Sequence, residues 1–419
     1  MMIQAFYTGV SGIKSDQTAI DVTSDNISNV NTVGFRQYNT EFSSIYNNMI
    51  NTDNLNSSVS NSVGIGTDIQ VTGMSLARGS LIDSERSTDL AITGDGWFGV
   101  QSDSGTIYTR DGNFGFDENR NFVTAEGFHV LGTKGNNIKD GVLTSVLDEV
   151  KLGNVATQEQ LNFPKTLKYP PHPTENAEFK LNLGLEDELR TAGASVIDSK
   201  NNKNSLKLEF KKSEIQTPPG VQWDVTATTK NIDDETVYDT KTGKLNFDSA
   251  GALISTTLTT IDNNGTTINI NLGSGYDGIS ATSTTVVQAI SKVDGTIGGD
   301  LVGYEISKNA EVIATFTNGL QSSVGKIAVY HFQNDQGLER VGGSSFKESS
   351  NSGRPIFFQD NNGQNILGTE VQSYKLENSN VKIEVALSEL IILQRSFDSN
   401  SKIISTADQM LQKAIDMDA

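Results

Sequence analysis

The chain has 419 residues, 35% of them apolar and 20% charged, and its 39 glycines against 7 prolines describe a soluble, β-rich, turn-rich protein of two or three domains. A formal net charge of −19 repels phosphate backbones and anionic lipid, which disfavours nucleic acid and membrane surfaces as partners. The absence of cysteine excludes disulfides, thiolate metal sites and cysteine nucleophiles, and no apolar run reaches the roughly 18 residues needed to insert in a bilayer.

From Ile3 the apolar residues fall at Phe6, Val10, Ile13, Ile20 and Ile27, and Phe6, Ile13, Ile20 and Ile27 repeat in steps of seven. This predicts a long helix with one narrow apolar stripe, polar at the alternate positions Gln17 and Ser24. The opening MMIQAFYTGVSGIKSDQ lacks the basic end and continuous apolar run of a cleaved signal, so any exit from the cell is expected to use another route. Helix-ending residues (Asn29, Asn31, Gly34) and β-branched residues (Val30, Thr32, Val33) predict that the helix stops near VNTVGFRQYN. The Asn- and Ser-rich tract from Asn47 to Ser62 reads as a linker.

Alternating runs such as TDIQVTGMSL, TDLAITGDGWFGVQ, GTIYTRDGNFGFD and RNFVTAEGFHVLG, separated by Gly, Asp and Asn, predict antiparallel hairpins. FPKTLKYPPHPTEN concentrates four of the seven prolines and marks a stiff border. Beyond it AEFKLNLGL, SLKLEFKK, VQWDVTAT and TTININLG predict a second β domain, after which DLVGYEISKNAEVIATFTNG and GKIAVYHFQNDQGL return to the first style. At the C-terminus Ile383, Leu390, Phe397, Ile404 and Leu411 again step by seven. Leu387 and Ile415 stand at the alternate seam positions, with polar Gln394, Ser401 and Asp408 between them. A narrow stripe on a long helix needs a partner, so the two ends are expected to pack on each other.

The expected fold is therefore multidomain α+β, with the long terminal helices paired as a coiled coil and two mainly antiparallel β domains, the outer inserted in the inner. The boundaries are 1–62 with 372–419 for the helical part, 63–168 with 293–371 for the middle β domain, and 169–292 for the insertion.

No chemistry is predicted. His129, His172 and His331 are isolated, the glycine-rich GIGTDIQ and ITGDGWFG match neither a dinucleotide fingerprint nor a P-loop, and Asp111, Asp117 and Glu118 lack calcium-loop spacing. No catalytic, metal or cofactor residue is assigned, and no cofactor is expected.

The termini do match a known pattern. SGIKSDQTAIDVTSDNISNVNTVGF resembles the N-terminal signature of the bacterial flagellar rod and hook axial family, with Asp25 and Ser28 where Asn and Ala are usual. SELIILQRSFDSNSKIISTADQMLQKAI is similar to that family's C-terminal end, and LAITGDGWFGV, with Trp97, resembles its shared β domain. The resemblance implies a self-polymerising, non-enzymatic subunit. Its assembly residues would be Phe6, Val10, Ile13, Ile20, Asn26, Ile27, Asn29, Val30, Asn31, Gly34 and Phe35 at one end, and Leu390, Gln394, Arg395, Phe397, Asn400, Ile404, Asp408 and Leu411 at the other. Phe6, Ile13, Ile20 and Ile27 are expected to face Leu390, Phe397, Ile404 and Leu411 in the polymer. The implied partners are other copies of the chain, the flagellar rod, hook-cap and hook–filament junction proteins and the flagellar export apparatus, at the extracellular flagellum. The inserted domain favours a hook over a distal rod or minor axial subunit, and the rival from another class is a secreted β-rich adhesin with oligomerising helical ends.

Overall fold

The computed structural model describes residues 2–48, 62–184, 187–216, 218–283 and 288–418. Helices α1 (Met2–Ser28) and α2 (Ile383–Asp418) occupy the two ends, and strands make up nearly all the regular structure between them. α1 stops where expected: the Asn29 amide bonds the carbonyls of Asp25 and Asn26 at 3.1 and 3.2 Å, and Gly34 at φ 68° turns the chain away.

Strands Tyr38–Asn48 and Ser62–Met74 form an antiparallel ribbon that lies along α1. Ser15 Oγ donates to the Thr67 carbonyl at 3.1 Å, and the Thr67 amide donates to Ser11 Oγ at 3.3 Å. Gly66 comes so close to Ser11 that a Cβ would collide with it. The TDIQVTGMSL run therefore pairs in this ribbon instead of opening the β domain, and Met74 is its residue in the β core. The tract read as a linker lies outside the described residues except at its ends, where Asn47 pairs with Val63 and Asn48 with Ser62.

The first β body has one large sheet. Trp97–Ser102 pairs with Gly105–Thr109 and His129–Lys134, and the ladder continues through Gln321–Ile327, Glu311–Phe316 and Gly299–Ile306. Strands from before residue 135 and after residue 298 thus share a sheet and one core, which includes Leu90, Phe98, Val100, Phe114, Phe122, Phe316 and Tyr330. Phe98 and Phe114 meet edge to face at 5.1 Å, the arrangement aromatic quadrupoles favour.

The second body has a five-stranded antiparallel sheet from Leu189–Ile197 to Leu253–Thr256, and a six-stranded sheet of mostly shorter strands around Asn176–Asn182. The latter strand runs parallel to Thr266–Asn271 and Asp277–Ser280, an exception to the mainly antiparallel expectation. Period-two alternation sends Leu206, Leu208 and Phe210 inward together with Trp223, Val225 and Ala227 of the next strand, Leu208 opposite Ala227 and Phe210 opposite Val225, while Lys207 and Lys211 face out. The two bodies are joined by a narrow ribbon in which His172 and Thr296 exchange backbone hydrogen bonds of 2.9 and 2.8 Å. Asp294 caps it by accepting the Glu175 and Asn176 amides.

Among the described residues one turn occurs four times. Asp117, Asp198, Asp248 and Asp360 each accept, on Oδ1, the amides two and four residues on. The residue three on takes a left-handed φ, at Arg120, Asn201, Gly251 and Gly363. Asp117, weighed above as part of a calcium loop, is thus committed to its own backbone.

Candidate assembly surface

α1 and α2 lie side by side and antiparallel. Gly9 abuts Ile404, Gly12 abuts Asn400, and at the far end Ile27 and Val30 pack on the cluster of Phe35, Val381 and Ala386. The approach depends on the two glycines: a Cβ on Gly9 would stand 2.7 Å from Ile404 Cγ1, and one on Gly12 2.5 Å from Asn400 Nδ2. Asn400 also donates to Asp16 Oδ2 at 2.8 Å.

The buried stripe of α1 is accordingly small and polar, through Gly9, Gly12, Ser15, Asp16, Ala19, Thr23 and Asn26. On α2 Leu390, Phe397, Ile404 and Leu411 are half-buried as one seam. The other seam passes through Ala386, Leu393, Asn400 and Ala407, one residue before the expected Leu387, Gln394, Ser401 and Asp408, and Leu387 and Ile415 are exposed. Spacing of large apolar residues misplaced this seam because close helix approach rewards small side chains instead.

The remaining apolar stripe of α1 is only partly covered. Ile13, Ile20 and Ile27 are half-buried, whereas Phe6, Tyr7 and Val10 are exposed. On α2 Ile391, Ile392, Ile403, Met410 and Ile415 all face solvent, Ile392 and Ile415 at 67% of their full exposure, and Gln394, Arg395 and Asp408 are exposed beside them. Single exposed apolar residues are ordinary, but a row of them along one long helix marks a contact surface.

The signature after α1 builds the junction between this two-helix stalk and the first β body. Asn26 Nδ2 donates to the Tyr38 carbonyl at 2.7 Å and its Oδ1 accepts the Tyr38 amide at 2.9 Å. Asn29 bonds Asp25 and Thr32, while Asn31 stays exposed. Gly34 is buried with its amide on the Glu377 carbonyl at 2.7 Å, and a Cβ there would strike the Arg110 backbone.

Sequence reasoning missed the charges at this junction. Glu377 Oε1 meets Arg36 Nη2 at 3.0 Å and Oε2 meets Arg110 Nη1 at 3.2 Å, with all three side chains at most 4% exposed. Burial lowers the pKa of both arginines, Arg110 to about 10, against the opposing pull of Glu377. A looser clasp lies outside it: Arg340 pairs with Asp25 at 2.7 Å and stacks over Phe35 and Tyr38. Arg110 and Glu377 lie 267 residues apart, so no spacing signals them; the one cue was a charge beside the motif, at Arg36. Among the described residues no group of three or more His, Cys, Asp or Glu could hold a metal ion.

Three family profiles match the chain: a flagella basal body rod protein profile over 6–36, a flagellar hook protein FlgE/F/G D1 domain profile over 91–166, and a flagellar basal body rod FlgEFG protein C-terminal profile over 372–417. The chain is 27% identical to the flagellar hook protein FlgE of Borreliella burgdorferi over 99% of both chains, and 28% identical to that of Brucella suis over 98% of both. It is 26% identical to the Escherichia coli flagellar hook protein over 99% of this chain and 100% of the other. A crystal structure of a Helicobacter pylori flagellar hook protein shares the fold at TM-score 0.52 and 17% identity, covering 71% of this chain and all of that one. With its terminal signatures on a paired-helix stalk and its middle profile on the first β body, the chain is similar along its whole length to the bacterial flagellar hook proteins.

Proposed function

We infer that this chain is a structural subunit of the bacterial flagellar hook, polymerising into a flexible tube that joins the basal-body rod to the filament and passes torque between them. The observation that carries the reading is the stalk: a helix pair in which Phe6, Val10, Ile391, Ile392, Ile403 and Met410 remain exposed is complete only when other subunits cover it. In the tube the stalks line the inside as coiled-coil pairs, the first β body forms the middle shell, and the second, inserted between residues 169 and 292, faces outward. That extra body favours the hook over a distal rod subunit. The role is mechanical, not catalytic, and needs no cofactor.

Bending during rotation requires small sliding at subunit contacts, which wet polar surfaces such as the Thr- and Lys-bearing outer faces of the second body permit. The chain meets rod, hook-cap and junction proteins at the tube ends, and reaches the extracellular flagellum through the flagellar export apparatus. Negative-stain imaging of the concentrated chain tests the reading. Open-ended tubes are expected; a discrete trimer with a ligand on the second body would replace the hook with an adhesin.

A further inference from the structure

We propose that Glu377 is the positioning residue of assembly, fixing the two-helix stalk at one orientation on the first β body so that both dock and bend as a single unit; the assembly half of this rests on the hook reading.

Three segments meet at the joint between stalk and body and form its crossings: the segment after α1, which turns back into the ribbon along α1, the segment after the ribbon, and the segment before α2. None of the three continues a helix across the joint. Glu377 touches all of them and the body as well. Its Oε1 takes Arg36 from the first crossing and the Gly79 amide, at 3.0 Å, from the second. Its own backbone begins the third and accepts the Gly34 amide, while Oε2 takes Arg110 of the body. Arg110 is itself anchored to the Gly94 carbonyl at 2.7 Å, and Arg36 to the Ala77 carbonyl. Asn380, three residues on, repeats the tie without charge: Oδ1 accepts the Gln37 amide at 2.7 Å and Nδ2 donates to Ala77 at 2.8 Å. Among the described residues the connection between the two β bodies has, by contrast, no buried ion pair and holds through backbone bonds, the exposed Asp294 and neutral side-chain bonds such as Asn201 Oδ1 accepting the Gly298 amide at 2.7 Å.

A carboxylate serves here where an amide would not. Two guanidinium groups converge on it out of water, and neutralising it leaves both cations without a counter-charge. Glu377→Gln keeps shape and volume but turns an N–H2 group toward one of the arginines. Arg36→Met keeps the Glu377–Arg110 pair and removes the side-chain ties from the α1 segment to Glu377 and to the Ala77 carbonyl, leaving the Gly34 backbone bond in place.

The test uses the natural lack of cysteine. Spin labels at Asp398→Cys on α2 and Asp103→Cys on the body report the stalk–body distance in tubes grown mostly from unlabelled parent chain. The parent is expected to give one narrow distribution, and Arg36→Met and Glu377→Gln distributions about twofold broader or more, with tube growth by each variant alone slowed roughly tenfold. A variant whose body stays folded by tryptophan fluorescence but which is shut out of tubes also supports the proposal. Variant distributions as narrow as the parent's overturn it, as do broad distributions with growth at the parental rate. If the parent forms no tubes, the hook reading fails by itself; the same labels in the soluble chain then decide whether Glu377 fixes the stalk, equal widths again overturning it.

Discussion

The β bodies and the stalk treat their large side chains in opposite ways. Trp97, Phe98, Phe114 and Phe122 in the first body, and Phe179, Phe210 and Trp223 in the second, are all but fully buried within one chain. The stalk buries glycine, alanine, serine and asparagine and leaves isoleucine and phenylalanine in water. The bodies are finished folds, whereas the stalk leaves apolar side chains uncovered, and its stability in isolation is expected to be the lowest in the molecule.

The largest effect that would break this contrast is on assembly. Ile392→Asp places a carboxylate where the polymer would bury an apolar residue, and burying an unpaired charge costs several kcal/mol, so the critical concentration should rise by roughly 100-fold or more. Being exposed, the same substitution should shift monomer stability by no more than about 0.5 kcal/mol. Sedimentation of polymer alongside thermal unfolding checks both; tubes at the parental concentration would place Ile392 outside any contact.

Next in size is a cavity in a finished core. The chain has two tryptophans, one in each body, so Phe substitutions that leave one tryptophan at a time make each body's unfolding separately visible. Phe179→Ala should cost the second body about 3–5 kcal/mol while the Trp97 signal of the first keeps its midpoint. A shared loss in both signals would mean that the bodies unfold together and that the narrow ribbon couples them more tightly than its few hydrogen bonds suggest. Within the stalk, Gly9→Val drives side-chain atoms into Ile404, and overpacking of this kind costs about 1–3 kcal/mol. Loss of helical circular dichroism before any change in tryptophan fluorescence is the expected signature.

What the sequence disclosed follows the same division. Periodicity made both long helices legible, along with the hairpins of the first body and the strands of the second, because a two-sided core imposes period two on Leu206, Leu208 and Phe210. Both kinds of error came from contacts that carry no period. The ribbon from Tyr38 to Met74 follows α1 through Gly66 and Ser11, a backbone approach that composition does not reveal. The α2 seam was placed one residue late because Leu387 and Ile415 outrank Ala386 and Ala407 in hydrophobicity but not in fit. The Glu377 junction was invisible for a different reason: its charges are brought together only by the closed fold.

The smallest expected effect distinguishes the two bodies by pH. His331 is buried in the first body with Nε2 2.6 Å from the Leu367 carbonyl and its ring against Phe358, and burial lowers its pKa below the ordinary value despite that hydrogen bond and the nearby Asp335 and Asp95. The unfolded chain then takes up a proton that the folded body resists, so this contribution is fully present above about pH 6.5, the unfolded value, and is lost as pH falls through the lower folded value. The Trp97 midpoint in urea should therefore drop between pH 7.5 and 5.5, and less so in His331→Gln. The second body contains no histidine in its core, and its buried Asp198 is pushed up by desolvation but held lower overall by bonds from Asn264 and Asn202. By the same linkage that contribution is lost only as pH falls below about 3.8, the unfolded value, so the Trp223 midpoint should stay nearly level in the window where Trp97 moves. Equal slopes for the two signals would mean that the bodies share one titration and, with it, one cooperative unit.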